Sequence, residues 1–153
     1  MEPSDAMDAR ERRRQWMRTM ALAPLEALEA AYQSLSLQPT YQFLRRPESG
    51  AIMLQGRVSG EGAAFNMGEA TLTRCTVLIQ DGAAGTGYVL GCNPRKAELM
   101  ALCDALLQDN RFHGWIMQAV IKPLEKQRQK RQVDMARERV ATKVDFFTLA
   151  RGE

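Results

Sequence analysis

Eleven residues, FNMGEATLTRC at 65–75, bring together the side chains of this chain whose types suit polar recognition: Asn66, Glu69, Thr71, Thr73 and Arg74. The composition is that of a strand. Regular alternation, however, puts Phe65, Met67, Glu69, Thr71, Thr73 and Cys75 on one face and Asn66, Gly68, Ala70, Leu72 and Arg74 on the other, so neither face is cleanly apolar. Glu69 and Arg74 point opposite ways unless a bulge near Gly68 re-aims one of them, and an ion pair within or between strands is the simpler account of both. The sharper account is that these five residues hydrogen-bond a partner chain or shape the edge of a partner's site, because interfaces combine an apolar centre with fixed polar contacts.

Catalytic constellations are not recognisable elsewhere. His113, the single histidine, falls in a loop between two helical segments with no evident partner. The glycines of DGAAGTG lack the Lys-Ser/Thr of a phosphate loop and suit a hairpin instead. Cys75, Cys92 and Cys103 contain no CxxC pair and, with one histidine, match no metal-ligand spacing, so no metal site is expected and the thiols read as reduced.

These residues need elements to carry them. At 153 residues with 45% hydrophobic content, the chain suits one domain spanning 1–153. Its 21 basic and 18 acidic side chains leave only +3, too little for a global field that recruits nucleic acid or an anionic membrane. No apolar run has the length of a bilayer span and the first residues have no secretory pattern, so a cytoplasmic protein is expected. The pattern predicts an α+β fold. An N-terminal helical hairpin covers 8–37, with Pro24 opening its second helix; an antiparallel sheet of about four strands covers 40–92, broken by PESG, SGEG and DGAAG turns. A helix at 94–109, capped by Asn93 and opened by Pro94, carries Leu99, Leu102, Cys103, Leu106 and Leu107, and helices are expected on one face of the sheet.

The last segment, 115–153, is a helical arm plus an extended tail, with Pro123 expected to kink or restart it. Residues 122–139 carry 7 basic and 3 acidic side chains and few apolar ones, so no core stripe of their own holds them, and packing on another chain is the favoured account. Base-stacking aromatics are absent there, which argues against a nucleic-acid arm. Phe146 and Phe147 are adjacent, point to opposite sides of an extended chain, and need cover on both.

The chain resembles the G subunit of the bacterial carbon–phosphorus lyase system, the PhnG family, over nearly its whole length. The resemblance runs through Arg13-x-Gln15-Trp16-Met17, Pro47-Glu48-x-Gly50, Gly56-Arg57, Phe65-Asn66-x-Gly68-Glu69-Ala70-Thr71-x-Thr73-Arg74 and Gly87-Tyr88-Val89-Leu90-Gly91. It continues through Ala97-Glu98, Asp104-Ala105-Leu106 and Asp145-Phe146-Phe147-Thr148-x-x-Arg151-Gly152. Cys92 and Lys96 depart from the Arg and His that the family often has there.

The resemblance implies an accessory, non-catalytic subunit of a cytoplasmic core complex with H, I and J subunits, and with K and L ATPase-like proteins as further partners. It implies support for replacing the adenine of ATP by a phosphonate at ribose C1, giving an alkylphosphonate ribose triphosphate. The I subunit is the implied catalyst, and an iron–sulfur cluster with S-adenosylmethionine belongs to a later step on another subunit. The residues themselves, read with this division of labour, point to Arg57, Asn66, Glu69, Thr71, Thr73, Arg74, Phe146 and Phe147 as partner-binding or site-shaping groups, with Arg57, Arg74 and Arg95 as basic side chains that could bias the local potential toward an anionic substrate. The competing reading is a stand-alone ligand-binding or enzymatic module with a pocket around Asn66, Glu69 and Arg74.

Overall fold

A computed structural model describes residues 3–141; Phe146, Phe147 and the rest of the tail lie outside the described residues. Two helices, α1 (Pro3–Leu22) and α2 (Leu25–Gln33), precede the strands β1 (Tyr41–Arg57), β2 (Ala64–Ile79) and β3 (Ala84–Leu90). Helix α3 (Pro94–Leu107) follows, then α4 (Asn110–Ile116), a π-helical turn (Met117–Ile121) and α5 (Lys122–Ala141). The fold is α+β.

Helix α3 is the centre of the molecule. Asn93 starts it by accepting the Lys96 N–H at 3.0 Å, and Pro94 takes the first position, where a missing N–H costs nothing. From Lys96 to Leu107 every residue except Glu98 is buried, as expected of a helix apolar nearly all round. Its Ala97, Ala101 and Ala105, four apart, form the side that meets the sheet. Gly85 and Gly87 receive them so closely that a Cβ would lie 2.0 Å from the Ala101 carbonyl oxygen at the first position and 2.0 Å from that of Ala97 at the second.

The sheet is antiparallel in the order β1-β2-β3. It has three strands where the sequence suggests about four, because PESG does not turn the chain. Residues 41–57 form one long strand whose register against β2 shifts between Phe43 and Arg45 and again between Arg45 and Glu48. Those irregularities absorb Pro47, which an edge strand tolerates because its N–H is not needed by a neighbour. Glu48 then faces Arg74 across the ladder.

A bulge explains the mixed alternation of FNMGEATLTRC. Leu54 pairs with Gly68 and Gln55 with Asn66, leaving Met67 as the extra residue, and Gly68 takes φ +148°, a conformation glycine tolerates best. Phe65 therefore shares the outer face with Leu72, while Glu69, Thr71 and Thr73 share the inner face. The bulge precedes Glu69, so Glu69 and Arg74 remain on opposite faces.

Strand β3 pairs only with Leu72–Leu78 of β2. Beyond it, residues 50–57 and 64–71 run on as a two-stranded ribbon about 26 Å long at ~3.3 Å per residue, closed by a short 3₁₀ turn at Val58–Gly60. Most ribbon residues are exposed.

At the other end, His113 lies within α4 rather than in a loop, because the Asp109 carboxylate caps that helix by accepting the Arg111 N–H at 2.9 Å. A π-helical turn just before Pro123 shifts the hydrogen-bond ladder where the proline has no N–H to give, and α-helix restarts as α5 at Lys122. After Leu124 the side chains of α5 are largely exposed, Val133 and Met135 among them.

Gly87→Ala should lower stability by about 2–4 kcal/mol in urea unfolding, since its Cβ meets backbone. Gly50→Ala, with nothing within 4 Å, should stay within about 1 kcal/mol of the parent.

Candidate functional site

An acidic residue amid the apolar run ALCDALL must find partners when the helix around it is buried. Asp104 is fully buried and accepts five hydrogen bonds. Arg13 gives two, from Nε at 3.0 Å and Nη2 at 2.7 Å; Trp16 Nε1 gives one at 3.0 Å, the Thr86 N–H one at 2.9 Å and Gln108 Nε2 one at 3.2 Å. Arg13 and Trp16, one helical turn apart, dock α1 on α3, and the Thr86 N–H is an edge group of β3 thereby satisfied. Trp16 also meets the His113 ring edge to face at 5.6 Å, and His113 Nδ1 is 2.7 Å from the Leu107 carbonyl oxygen.

Thr73 is the second node and is also fully buried. Its hydroxyl donates to the Gly91 carbonyl at 2.6 Å, accepts the Asn93 N–H at 3.0 Å and lies 2.8 Å from the Ser49 hydroxyl. It joins β1, β2 and the loop that enters α3, so its polar capacity is taken up inside the chain. Lys96, fully enclosed but for a small fraction, donates from Nζ to the Ala21 carbonyl at 2.7 Å, placing a cation at the C-terminal end of α1, where the helix dipole favours it. Burial pushes its pKa down. Cys92, the other departure, is exposed beside Ser49.

The remaining candidates spread out. Arg74 Nε donates to Glu48 at 2.8 Å, and Arg45 holds the same carboxylate oxygen at 2.7 Å; these bonds, that of Arg74 foremost, hold the Glu48 carboxyl below the usual range. Glu69 makes no hydrogen bond or ion pair with another described residue. Asn66 accepts from Gln55 Nε2 at 3.3 Å across the ribbon, and Arg57 Nη1 reaches the Gly62 carbonyl at 3.3 Å. Thr71 is exposed on the inner face of the ribbon. Asn66, Glu69 and Arg74 thus do not converge on one pocket.

A carboxylate chain runs along the other edge of α3. Arg95 pairs with Glu29 at 3.1 Å and Glu98 at 3.3 Å, and Glu98 accepts the Tyr41 hydroxyl at 2.5 Å. That hydrogen bond raises the Tyr41 phenol to about 12, and burial raises Tyr32 to about 12. Burial likewise raises the Cys75 thiol to about 11 and that of Cys103 to about 12, which suits packing rather than nucleophilic roles. Among the described residues, no group of three or more His, Cys, Asp or Glu side chains is placed to hold a metal ion. A groove of about 320 Å³ is lined by Thr40, Ile79, Asp81, Ala105, Asp109 and Phe112, and the Asp109 carboxylate there is bound by Arg111 at 2.6 Å. None of the candidate site residues taken from the sequence lines it.

Arg13, Trp16, Glu98 and Asp104 enter from the sequence only as letters of the family resemblance, and neither they nor Tyr41 have a role assigned there. The available signals were the lone carboxylate in α3 and the arginine and tryptophan three residues apart on α1.

The fold and these networks define a small two-layer α+β protein whose buried Asp104, Thr73 and Lys96 are spent on joining its own elements and whose outer sheet face is left open. A family model described as phosphonate metabolism protein PhnG matches residues 11–152, and the chain belongs to that family. It is 38% identical over 141 residues to a Rhizobium meliloti (strain 1021) protein named alpha-D-ribose 1-methylphosphonate 5-triphosphate synthase subunit PhnG, covering 92% of this chain and 90% of that protein.

Asp104→Ala should cost about 3–5 kcal/mol in urea unfolding, because it strands buried donors, whereas Trp16→Phe, which removes one donor and keeps a ring, should cost about 1 kcal/mol from that hydrogen bond. The raised Tyr41 pKa contributes stability that is complete below pH 10 and is lost as pH rises toward about 12. Tyr41→Phe should flatten the fall of stability in that window and remove one late-titrating phenolate from the ultraviolet titration.

Proposed function

We propose that this chain is an accessory, non-catalytic subunit of an assembly that joins a phosphonate to ribose C1 of ATP with loss of adenine, forming an alkylphosphonate ribose triphosphate. The observation that carries the reading is the match, over 92% of this chain, to a protein named as a subunit of an alpha-D-ribose 1-methylphosphonate 5-triphosphate synthase. The distribution of side chains supports it. Three of the carboxylates are tied up, Asp104 by five donors, Glu48 by two arginines and Glu98 by Tyr41 and Arg95, while Glu69 stands by itself on the ribbon with no base, acid or metal partner beside it among the described residues. What faces solvent instead is an apolar sheet surface and a basic helix, the features of a chain held by others.

In this reading the chain works by ordering neighbouring subunits of the H, I and J type, with K and L ATPase-like proteins as further contacts, in the cytoplasm. Preorganised geometry lowers a barrier without supplying chemistry. ATP is a substrate of the whole assembly, and the iron–sulfur cluster and S-adenosylmethionine of the later bond-breaking step belong to another subunit. A direct electrostatic pull on the anionic substrate would fall to Arg57, Arg74 and Arg95; Arg74 is paired with Glu48 and Arg95 with Glu29 and Glu98, which leaves Arg57, whose guanidinium reaches the Gly62 carbonyl, as the one without a carboxylate partner among the described residues. The Phe146 and Phe147 segment is assigned to a neighbouring chain from its sequence alone, since two adjacent large rings would point opposite ways wherever the backbone is extended.

Reconstitution tests the reading. Mixtures of the companion subunits with ATP and methylphosphonate should release adenine and form the ribose product only when this chain is included, and the isolated chain should neither turn over the pair nor bind ATP saturably. Saturable ATP binding or turnover by the chain alone would overturn it in favour of a self-contained enzyme or ligand-binding module.

A further inference from the structure

The outer face of the sheet carries an apolar stripe that starts beside the Arg74–Glu48 pair, at Leu90 and Leu72, and runs along the ribbon to Phe65. Leu90 pairs with Leu72 across β3 and β2, and β1 contributes Ile52 and Leu54 opposite Ala70 and Gly68. The bulge then completes the stripe. By inserting Met67, it places Phe65 on the same face, opposite Gly56, and the Met67 side chain lies over Gly56, where a Cβ would come within 2.3 Å of its sulfur. Leu90 is 68% exposed and Met67 65%, and all helices of the described chain that touch the sheet pack on it elsewhere, chiefly α3 on the inner face. A continuous apolar surface of this length is far from the scattered exposure usual on a monomer.

The charge around the stripe selects what covers it. The three strands carry Arg45, Arg46, Arg57 and Arg74 against Glu48 and Glu69, and Glu48 is already shared by Arg45 and Arg74. A second copy of this chain laid on the face would set like margins against each other, which is costly when interfacial charges are brought together. We infer that the outer sheet face and the β1–β2 ribbon form the docking surface for a different protein chain, one presenting an apolar patch with an acidic margin. This deepens the subunit reading above and rests on it: the occupant is a companion subunit of the same assembly. The free edge of the ribbon adds main-chain donors and acceptors that such a chain can pair with, as in strand addition.

The test uses the full chain co-expressed with the H, I and J companions and purified through a tag on this chain. The double variant Leu54→Lys with Met67→Lys should weaken association at least tenfold, while Leu54→Ile with Met67→Leu should assemble like the parent. Both altered side chains are exposed, so the thermal midpoint of the free double-lysine chain should match the parent, separating lost docking from lost folding. Reversal of the margin, Arg57→Glu with Arg74→Glu, should weaken association most at low salt and flatten its salt dependence. Retention of both charged double variants at parental affinity would overturn the surface assignment while leaving the subunit reading standing. A concentration-dependent self-dimer abolished by Leu54→Lys with Met67→Lys would make a second copy the occupant and overturn it as well. If the parental chain joins none of the companions, the subunit reading fails and the surface assignment falls with it.

Discussion

The carboxylate of Asp104 is the constraint around which the described part of this protein is assembled. A bare carboxylate in the middle of a buried helix is untenable, and the chain meets it with donors from α1, from the edge of β3 and from the residue that ends α3. Satisfying that one group fixes where α1 lies, occupies the Thr86 N–H at the β3 edge and sets the height of α3 over β3. The glycines of β3 then become obligatory, since the helix backbone occupies the space a side chain would need. Apolar burial supplies the bulk of the driving force here, as in any domain, but it is non-directional; the directional content comes from this carboxylate and from the Thr73 hydroxyl.

Thr73 marks the border between two unlike parts. On its helix side the chain is interlocked, with Ser49, Gly91 and Asn93 meeting at one hydroxyl. On its other side β1 and β2 continue without a third strand and without a helix beneath them, a two-stranded arrangement that is marginal in isolation. The same residues that looked chemically suggestive in the sequence straddle this border. Thr73 belongs to the interior and Arg74 to an ion-pair cluster with Glu48 and Arg45, while Asn66, Glu69 and Thr71 stand on the ribbon.

The sequence shows the α+β class, the cap at Asn93, the start of α3 and the polar character of α5, because each follows from local propensity or periodicity. Gly56-Arg57, the GYVLG run and the acidic residue of α3 are equally visible as letters, and their order carries the family resemblance. Less legible was whether PESG turns the chain: proline and glycine punctuate turns, and only the pairing of Glu48 with Arg74, where the ladder resumes after its register shifts, shows that they mark a bulged edge here. The π turn before Pro123 is similarly a tertiary choice, made because the helix is buried on both sides of it at Ile116, Val120, Ile121 and Leu124. Lys96 departs from the family pattern in type, yet its ammonium ends on the last turn of α1, a role that spacing alone does not disclose.

Residues 50–57 and 64–71 contribute no fully buried side chain to the core. Substitutions in them are therefore filtered by whatever they touch rather than by folding, while the α3 and β3 contact tolerates almost no drift. Such a division lets recognition be retuned in one module as a neighbouring protein diverges, without the scaffold having to change in step.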